Sequence, residues 1–282
     1  MTISLETVVY ASRKGVDLKV DVYRPEGKPK AAVLLLHGGG WRRGSKEAVG
    51  PSAKALAGHG FVALATQYRL LGDAPWPAQI QDVNSAIRWA RRNAGTLGVD
   101  ASKIAVEGLS AGGHLALLAA GSANVRAFSD DADADQDSSV AAAIAFYPPV
   151  EFQLGTPIEG AAPADRLLED RANAREAELA SPIHHVKANF PPTCLFHGTD
   201  DHIVVPAASI RLFDRLRAAG VTVDLHLQSG QTHAFAMLPS VVPQVQGIVA
   251  AFLDKHLVDP QFYIRENLEL NQFAGGKRPG GN

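Results

Sequence analysis

Gly108-Leu109-Ser110-Ala111-Gly112-Gly113 sets a serine among glycines where an apolar run, Ile104 to Val106, gives way to a helix-forming run, His114 to Ala120. At such a strand-to-helix turn the hydroxyl is pushed out above the sheet edge. Side chains at the flanking glycines would collide with the neighbouring strand and helix. The helix that starts behind Ser110 offers free N–H groups and a positive dipole end to a developing oxyanion. A second glycine cluster, His37-Gly38-Gly39-Gly40-Trp41, follows the apolar run Ala31 to Leu36. Backbone without side chains approaches a carbonyl oxygen closely, so this loop suits the other half of an oxyanion hole. Together these segments could carry out acyl transfer by an activated serine.

An activated serine needs a base and an orienting carboxylate, in the chain order serine, acid, histidine when the serine sits on an elbow of this kind. The acids of Phe196-His197-Gly198-Thr199-Asp200-Asp201 follow an apolar strand around Leu195, at the edge where open α/β sheets bind ligands. Of ten histidines, His233 is the best base, because it follows the alternating strand Val221, Val223, Leu225, Leu227 on the same edge as Ser110. His202, beside Asp201, is its one competitor. His226 reads as exposed on the polar face of its strand, and His59 and His256 fall in helical patterns. His184 and His185 lack a Cys or carboxylate at ligand spacing, His114 packs beneath the elbow, and His37 and His197 order their loops.

The elements that must position these residues are legible in the apolar pattern. Continuous runs at Ala31–Leu36, Phe61–Ala65, Ile104–Val106, Ala141–Phe146 and Thr193–Phe196 have the look of strands buried on both faces. Val16, Leu18, Val20 and Val22 alternate with polar residues, as in a half-buried strand, and pair with Thr7 to Ala11 as a hairpin. Ile80, Val83, Ile87, Ala90 and Ala94 recur at helical spacing, with Gln81, Asp82, Arg88 and Arg91 elsewhere on the wheel. Val241, Val245, Ile248, Val249, Phe252 and His256 do the same. Alternating strands and helices predict an α/β class with a mostly parallel central sheet flanked by helices.

Composition excludes several other classes. With 282 residues, 20% of them charged, a net charge of −2 and a pI near 6.5, the chain lacks the basic character of a nucleic-acid binder. A lone Cys194 forbids an intrachain disulfide. Val140 to Val150 is about half the ~20 residues a membrane helix needs and is interrupted by Pro148-Pro149. With no basic-then-apolar pattern at the N-terminus, the expectation is a cytoplasmic protein that binds neither nucleic acid nor membrane. Gly38, Gly40 and Gly44 miss the dinucleotide fingerprint by one residue. The acidic stretch Ser129 to Ser139 reads as a solvated charge run, because Gln136 stands where a calcium loop needs glycine.

These motifs resemble the α/β-hydrolase superfamily. More narrowly, they resemble the HGGG-bearing serine esterases of the hormone-sensitive-lipase-like, feruloyl/acetyl-xylan esterase and kynurenine formamidase groups. The resemblance runs from about Val16 to Leu257 through Asp21-Val22-Tyr23-Arg24-Pro25, HGGGW at 37–41, Tyr68-Arg69-Leu70, GLSAGGH at 108–114, HGTDDHIVVP at 197–206 and Gly230 to Phe235. It implies Ser110 as nucleophile, His233 as general base and Asp201 as orienting acid. Asp200 stays open, because Pro206 falls one residue later than the pattern places it. It also implies oxyanion donors at Gly39, Gly40 and Ala111, a pocket drawn from Trp41, Trp76, Leu109 and Phe235, and no metal or organic cofactor.

The absence of a long N-terminal helical segment before the first strand favours the feruloyl/acetyl-esterase and formamidase side. The cap is then small or absent, with 151–180 the candidate segment. The resemblance implies a carboxylesterase acting on a small-molecule ester with a short acyl chain. The alternatives are an amidase, arylformamidase or peptidase using the same triad, and a non-catalytic ligand-binding protein. Domain organisation is expected as one hydrolase domain over 1–258 and a tail over 259–282. Phe262, Tyr263 and Ile264 in that tail would dock on the body or on a partner such as a second copy, before a disordered glycine-rich end.

Overall fold

The computed structural model describes residues 2–123, 125–129 and 136–273. Strands β1 (Ser4–Arg13) and β2 (Val16–Arg24) form the expected hairpin. Then come β3 (Ala32–Leu36), α1 (Gly50–Gly58), β4 (Val62–Thr66), α2 (Ala78–Arg92), the short α3 (Ala94–Leu97), β5 (Ile104–Leu109) and α4 (Ala111–Gly121). The strand β6 (Ala142–Phe146) precedes a small excursion made of β7 (Phe152–Gln153), β8 (Ala162–Pro163), α5 (Asp165–Leu168) and α6 (Ala174–Ala180). The chain closes with β9 (Thr193–Gly198), α7 (Ala207–Ala218), β10 (Val223–Gln228), α8 (Val242–Leu253) and α9 (Pro260–Phe273).

The main sheet has the order β1-β2-β4-β3-β5-β6-β9-β10. Pairing is antiparallel in β1/β2 and β2/β4 and parallel from β4 to β10. The continuous apolar runs have a simple cause. Leu34 and Leu36 join Ile80, Val83, Ile87 and Leu115 of α2 and α4 on one face. Val33 and Leu35 join Ala53, Leu56, Val245 and Val249 of α1 and α8 on the other. With both faces covered, alternation disappears.

The order also fixes where a site can form. From β3 the chain crosses to β4 on one side, and from β4 it returns to β5 on the other side of β3. Connections that diverge from adjacent strands leave a crevice at their C-terminal ends. The glycine loop after β3 and the Ser110 elbow after β5 both open there.

Two polar residues off the apolar stripe of α2, Asp82 and Arg88, are buried, and the exposed position expected of His226 is revised. Asp82 takes two bonds from the Arg69 side chain, at 2.7 and 2.8 Å, and Arg88 donates to Gln136 O and Ser129 Oγ. His226 is half-buried, its ring stacked on Phe196 at 4.7 Å, while Leu227 of the same strand is exposed. The tail, expected to dock on the body or on a partner, begins as a helix. Pro260–Phe273 form a helix on which Phe262 and Ile264 remain about half exposed. The glycine-rich end, 274–282, and the acidic residues 130–135 lie outside the described residues. Among those described, no helix is long and apolar enough to cross a membrane.

Glu107 lies within β5, three residues before Ser110, and is fully buried. Its Oε1 accepts from Gln246 Nε2 of α8 at 2.7 Å, and its Oε2 has no partner among the described residues. Burial pushes its carboxyl up to about 7, against the smaller opposing effect of the Gln246 bond. A raised carboxyl contributes stability that is fully present below its unfolded value, near 4.5, and lost as pH rises through about 7. Glu107→Gln should therefore gain stability relative to the parent as pH goes from 5 to 8. The difference should reach on the order of 2–3 kcal/mol in urea titrations. A difference independent of pH would contradict the raised carboxyl.

Candidate active site

Ser110 leaves β5 at φ 52°, a left-handed conformation disfavoured for a residue with a Cβ. It is held there by packing on every side. Its N–H donates to Phe146 O at 2.9 Å and its carbonyl accepts from His114 N at 2.9 Å. A Cβ on Gly108 would lie 2.1 Å from Gly112 O, and one on Gly112 would lie 2.2 Å from Leu36 O. Only glycine fits either position. The turn is pressed onto the end of β3, which fixes Ser110 above the C-terminal edge of the sheet.

Asp201 and His233 follow the paired parallel strands β9 and β10, beyond β6 from the elbow. Beyond β9 and β10 the two loops are stitched by Thr199 N to Gln228 O and Asp200 N to Gln231 O, both 3.0 Å. His233 Nε2 is 2.9 Å from Ser110 Oγ, and His233 Nδ1 is 2.6 Å from Asp201 Oδ2. Asp201 Oδ1 accepts from the N–H groups of Ile203, at 2.9 Å, and Val204, at 3.0 Å. His197 Nε2 stands 3.3 Å from Oδ2 and 2.7 Å from Val204 O, while its Nδ1 lies 2.7 Å from Ser209 Oγ. Burial would raise the Asp201 carboxyl, but His197, His233 and the two backbone donors outweigh it and hold it well below the usual carboxylate range. Asp200, the sequence alternative, is exposed, and among the described residues its carboxylate accepts only from Thr199 Oγ1. His202 is exposed as well.

The glycine loop lies against the elbow, with a Cβ on Gly38 only 3.0 Å from Leu109 O. Gly39, at φ 120°, accepts from the N–H groups of Arg42 and Arg43. This closes a turn that leaves the N–H groups of Gly39 and Gly40 uncommitted. Neither these nor the Ala111 N–H donates to any acceptor among the described residues, and all three residues line the cleft with Ser110. Tyr68 braces the loop by donating to His37 O at 2.8 Å, with its ring stacked on His37 at 4.3 Å. His114 joins three parts of the site. It accepts from Trp41 Nε1 at 3.2 Å, and its Nε2 lies 2.8 Å from Ala180 O at the end of α6. Burial lowers its ionisation to about 4, so it is neutral there.

The cleft encloses about 1060 Å³. Trp41 and Leu109 line it as expected, but Trp76 and Phe235 do not. Trp76 packs in the core against Phe128 and His114, and Phe235 packs against Tyr147. The candidate cap segment does contribute, through Gly160–Pro163, Asp165 and Arg166. It is tied down by Arg42–Glu169 at 2.9 Å, by Arg171 Nη1 to Trp76 O at 2.9 Å and by Arg211 to Glu159 O at 3.1 Å. Sequence reasoning missed Tyr147, whose ring sits 4.6 Å from that of His233, and the lining residues Arg43, Ile203, Val205 and Met237. The only signal for Tyr147 is its place directly after β6. Among the described residues no group of three or more His, Cys, Asp or Glu is placed to hold a metal ion.

The arrangement can take a proton from a serine hydroxyl, hold the resulting imidazolium and stabilise an oxyanion. Comparison with known proteins agrees with that chemistry. Residues 20–216 match the BD-FAE family model. The esterase LipC of Mycobacterium tuberculosis is 35% identical over 78% of this chain and 57% of its own length. The carboxylesterase NlhH of the same organism is 30% identical over 80% of this chain and 74% of its own. The chain spans just over half the length of the first curated relatives it matches. A thermophilic esterase of Thermogutta terrifontis, Est2, superposes with a TM-score of 0.78 at 30% identity, covering 91% of this chain and 94% of that one. Est2 has also been solved with propionate and with butyrate bound.

The geometry separates the two adjacent acids. Asp201→Asn should slow labelling of Ser110 by a fluorophosphonate, followed by intact mass, by on the order of 10³-fold, because the amide selects the wrong imidazole tautomer. Asp200→Asn should label at the parental rate. The reverse ranking would overturn the assignment of the acid.

Proposed function

This chain belongs to the BD-FAE family and has the α/β-hydrolase fold, and we propose that it is a serine carboxylesterase hydrolysing short-chain acyl esters. The observation that carries this is the continuous line Ser110 Oγ–His233–Asp201, with spacings of 2.9 and 2.6 Å, beside three uncommitted N–H groups. The esterase relatives support it, as does the binding of propionate and butyrate, two short carboxylates, by Est2.

In the proposed reaction Ser110 Oγ attacks the ester carbonyl carbon while His233 Nε2 takes the hydroxyl proton. Asp201 accepts from His233 Nδ1–H throughout, which fixes the tautomer and stabilises the imidazolium. The carbonyl oxygen becomes an oxyanion held by the N–H groups of Gly39, Gly40 and Ala111. Collapse of the tetrahedral intermediate breaks the bond to the alcohol, which leaves with the proton from His233. Water, deprotonated in turn by His233, attacks the acyl-enzyme; collapse of that intermediate breaks the bond to Ser110 Oγ, which takes the proton back from His233 as the acid is released.

Hydrolysis of p-nitrophenyl esters from acetate to decanoate should peak at the short chains. Ser110→Ala should lower kcat by on the order of 10⁶-fold with the fold intact by circular dichroism. Parental turnover in that variant, or a folded parent inert on every ester, would sink the proposal.

A further inference from the structure

Along the sheet edge, the loop after β3 stands on one side of Ser110, and the loops after β9 and β10 stand on the other. Their lining residues differ in kind. The β9 and β10 side presents Ile203, Val205 and Met237, all exposed into the opening. The β3 side presents Arg42 and Arg43, and α5 adds Arg166. Arg42 is bridged to Glu169 at 2.9 Å, which moors the end of the segment carrying Arg166 on that same side. Arg43 and Arg166 have no ion-pair or side-chain hydrogen-bond partner among the described residues. Among the described residues, Asp165 is the only carboxylate in the lining.

Arg43 is also close to the chemistry. Its Cγ lies 3.1 Å from where a Cβ of Gly39 would stand, so the root of its side chain rests on the oxyanion loop. A cleft with low-dielectric walls focuses the field of cations at its rim, and the N-terminus of α4 behind Ser110 adds to the same sign. A guanidinium matches a carboxylate through two parallel N–H bonds, which gives direction as well as attraction.

We infer that this site selects esters that carry a carboxylate remote from the scissile bond: monoesters of dicarboxylic acids, or esters of acidic alcohols and phenols. The anion rests on Arg43 and Arg166, and the apolar part of the substrate lies along Ile203, Val205 and Met237. This rests on the esterase reading above and specifies the substrate of that same site.

Matched pairs test it. On the acyl side, 4-nitrophenyl hemiadipate is compared with 4-nitrophenyl hexanoate. On the alcohol side, 4-acetoxybenzoate is compared with 4-acetoxybenzamide. The ratio of kcat/KM, anionic over neutral, should exceed one in at least one pair, which also shows which half of the ester carries the charge. Arg43→Gln and Arg166→Gln should each lower that ratio by roughly 3- to 10-fold, mainly through KM. Raising the salt to 0.5 M should lower it in the parent as well. A ratio at or below one in both pairs, or one that both variants and salt leave unchanged, overturns charge selection while hydrolysis of the neutral esters upholds the esterase reading. Failure of the folded parent to cleave any of the four esters overturns the esterase reading itself.

Discussion

Everything at the site depends on how closely the elbow is pressed onto the end of β3. Gly112 approaches Leu36 O, and Gly108 approaches Gly112 O, at distances that exclude any side chain. Because the contact is backbone on backbone, Ser110 cannot shift without moving the strand that carries the glycine loop. Ser110 and that loop are therefore held as one unit. The left-handed conformation of Ser110, worth on the order of 1–3 kcal/mol of strain, persists because its surroundings leave it no alternative.

A second unit meets the first across the cleft. The loops after β9 and β10 are tied to each other by backbone bonds, so the distance between His233 and Asp201 is set before any substrate arrives. The buried carboxylate is kept ionised by bonds from His233 and two backbone N–H groups, with His197 close by. Such a charge is costly to bury unless every lone pair is used. The Tyr147 ring packs against that of His233, with centroids 4.6 Å apart and planes tilted by 58°. Catalytic geometry of this kind comes from fixed supports rather than from flexible reach.

Much of this was legible in the sequence, and the parts that were not share a cause. Buried strands announce themselves by continuous apolarity, and elbow and glycine loop by residues that nothing else can replace. The ranking of His233 above nine other histidines followed from its position beyond the last strand. The choice between Asp200 and Asp201 did not, because adjacent acids differ only in which turns inward, and the stitching of two loops decides that. Trp76 and Phe235 were misplaced because an aromatic side chain suits core and pocket equally well. The burial of Arg88 and Asp82 is not legible on the helical wheel, because their partners, Ser129, Gln136 and Arg69, lie far away in sequence or outside the helical pattern.

The excursion between β6 and β9 is fastened at widely separated points. Arg42 holds Glu169, Trp76 O receives Arg171, Ala180 O meets His114, and Glu159 O receives Arg211. A segment tied at four separate points stands as a fixed side of the cleft in this structure, so the width of the opening is set by the cleft's own walls.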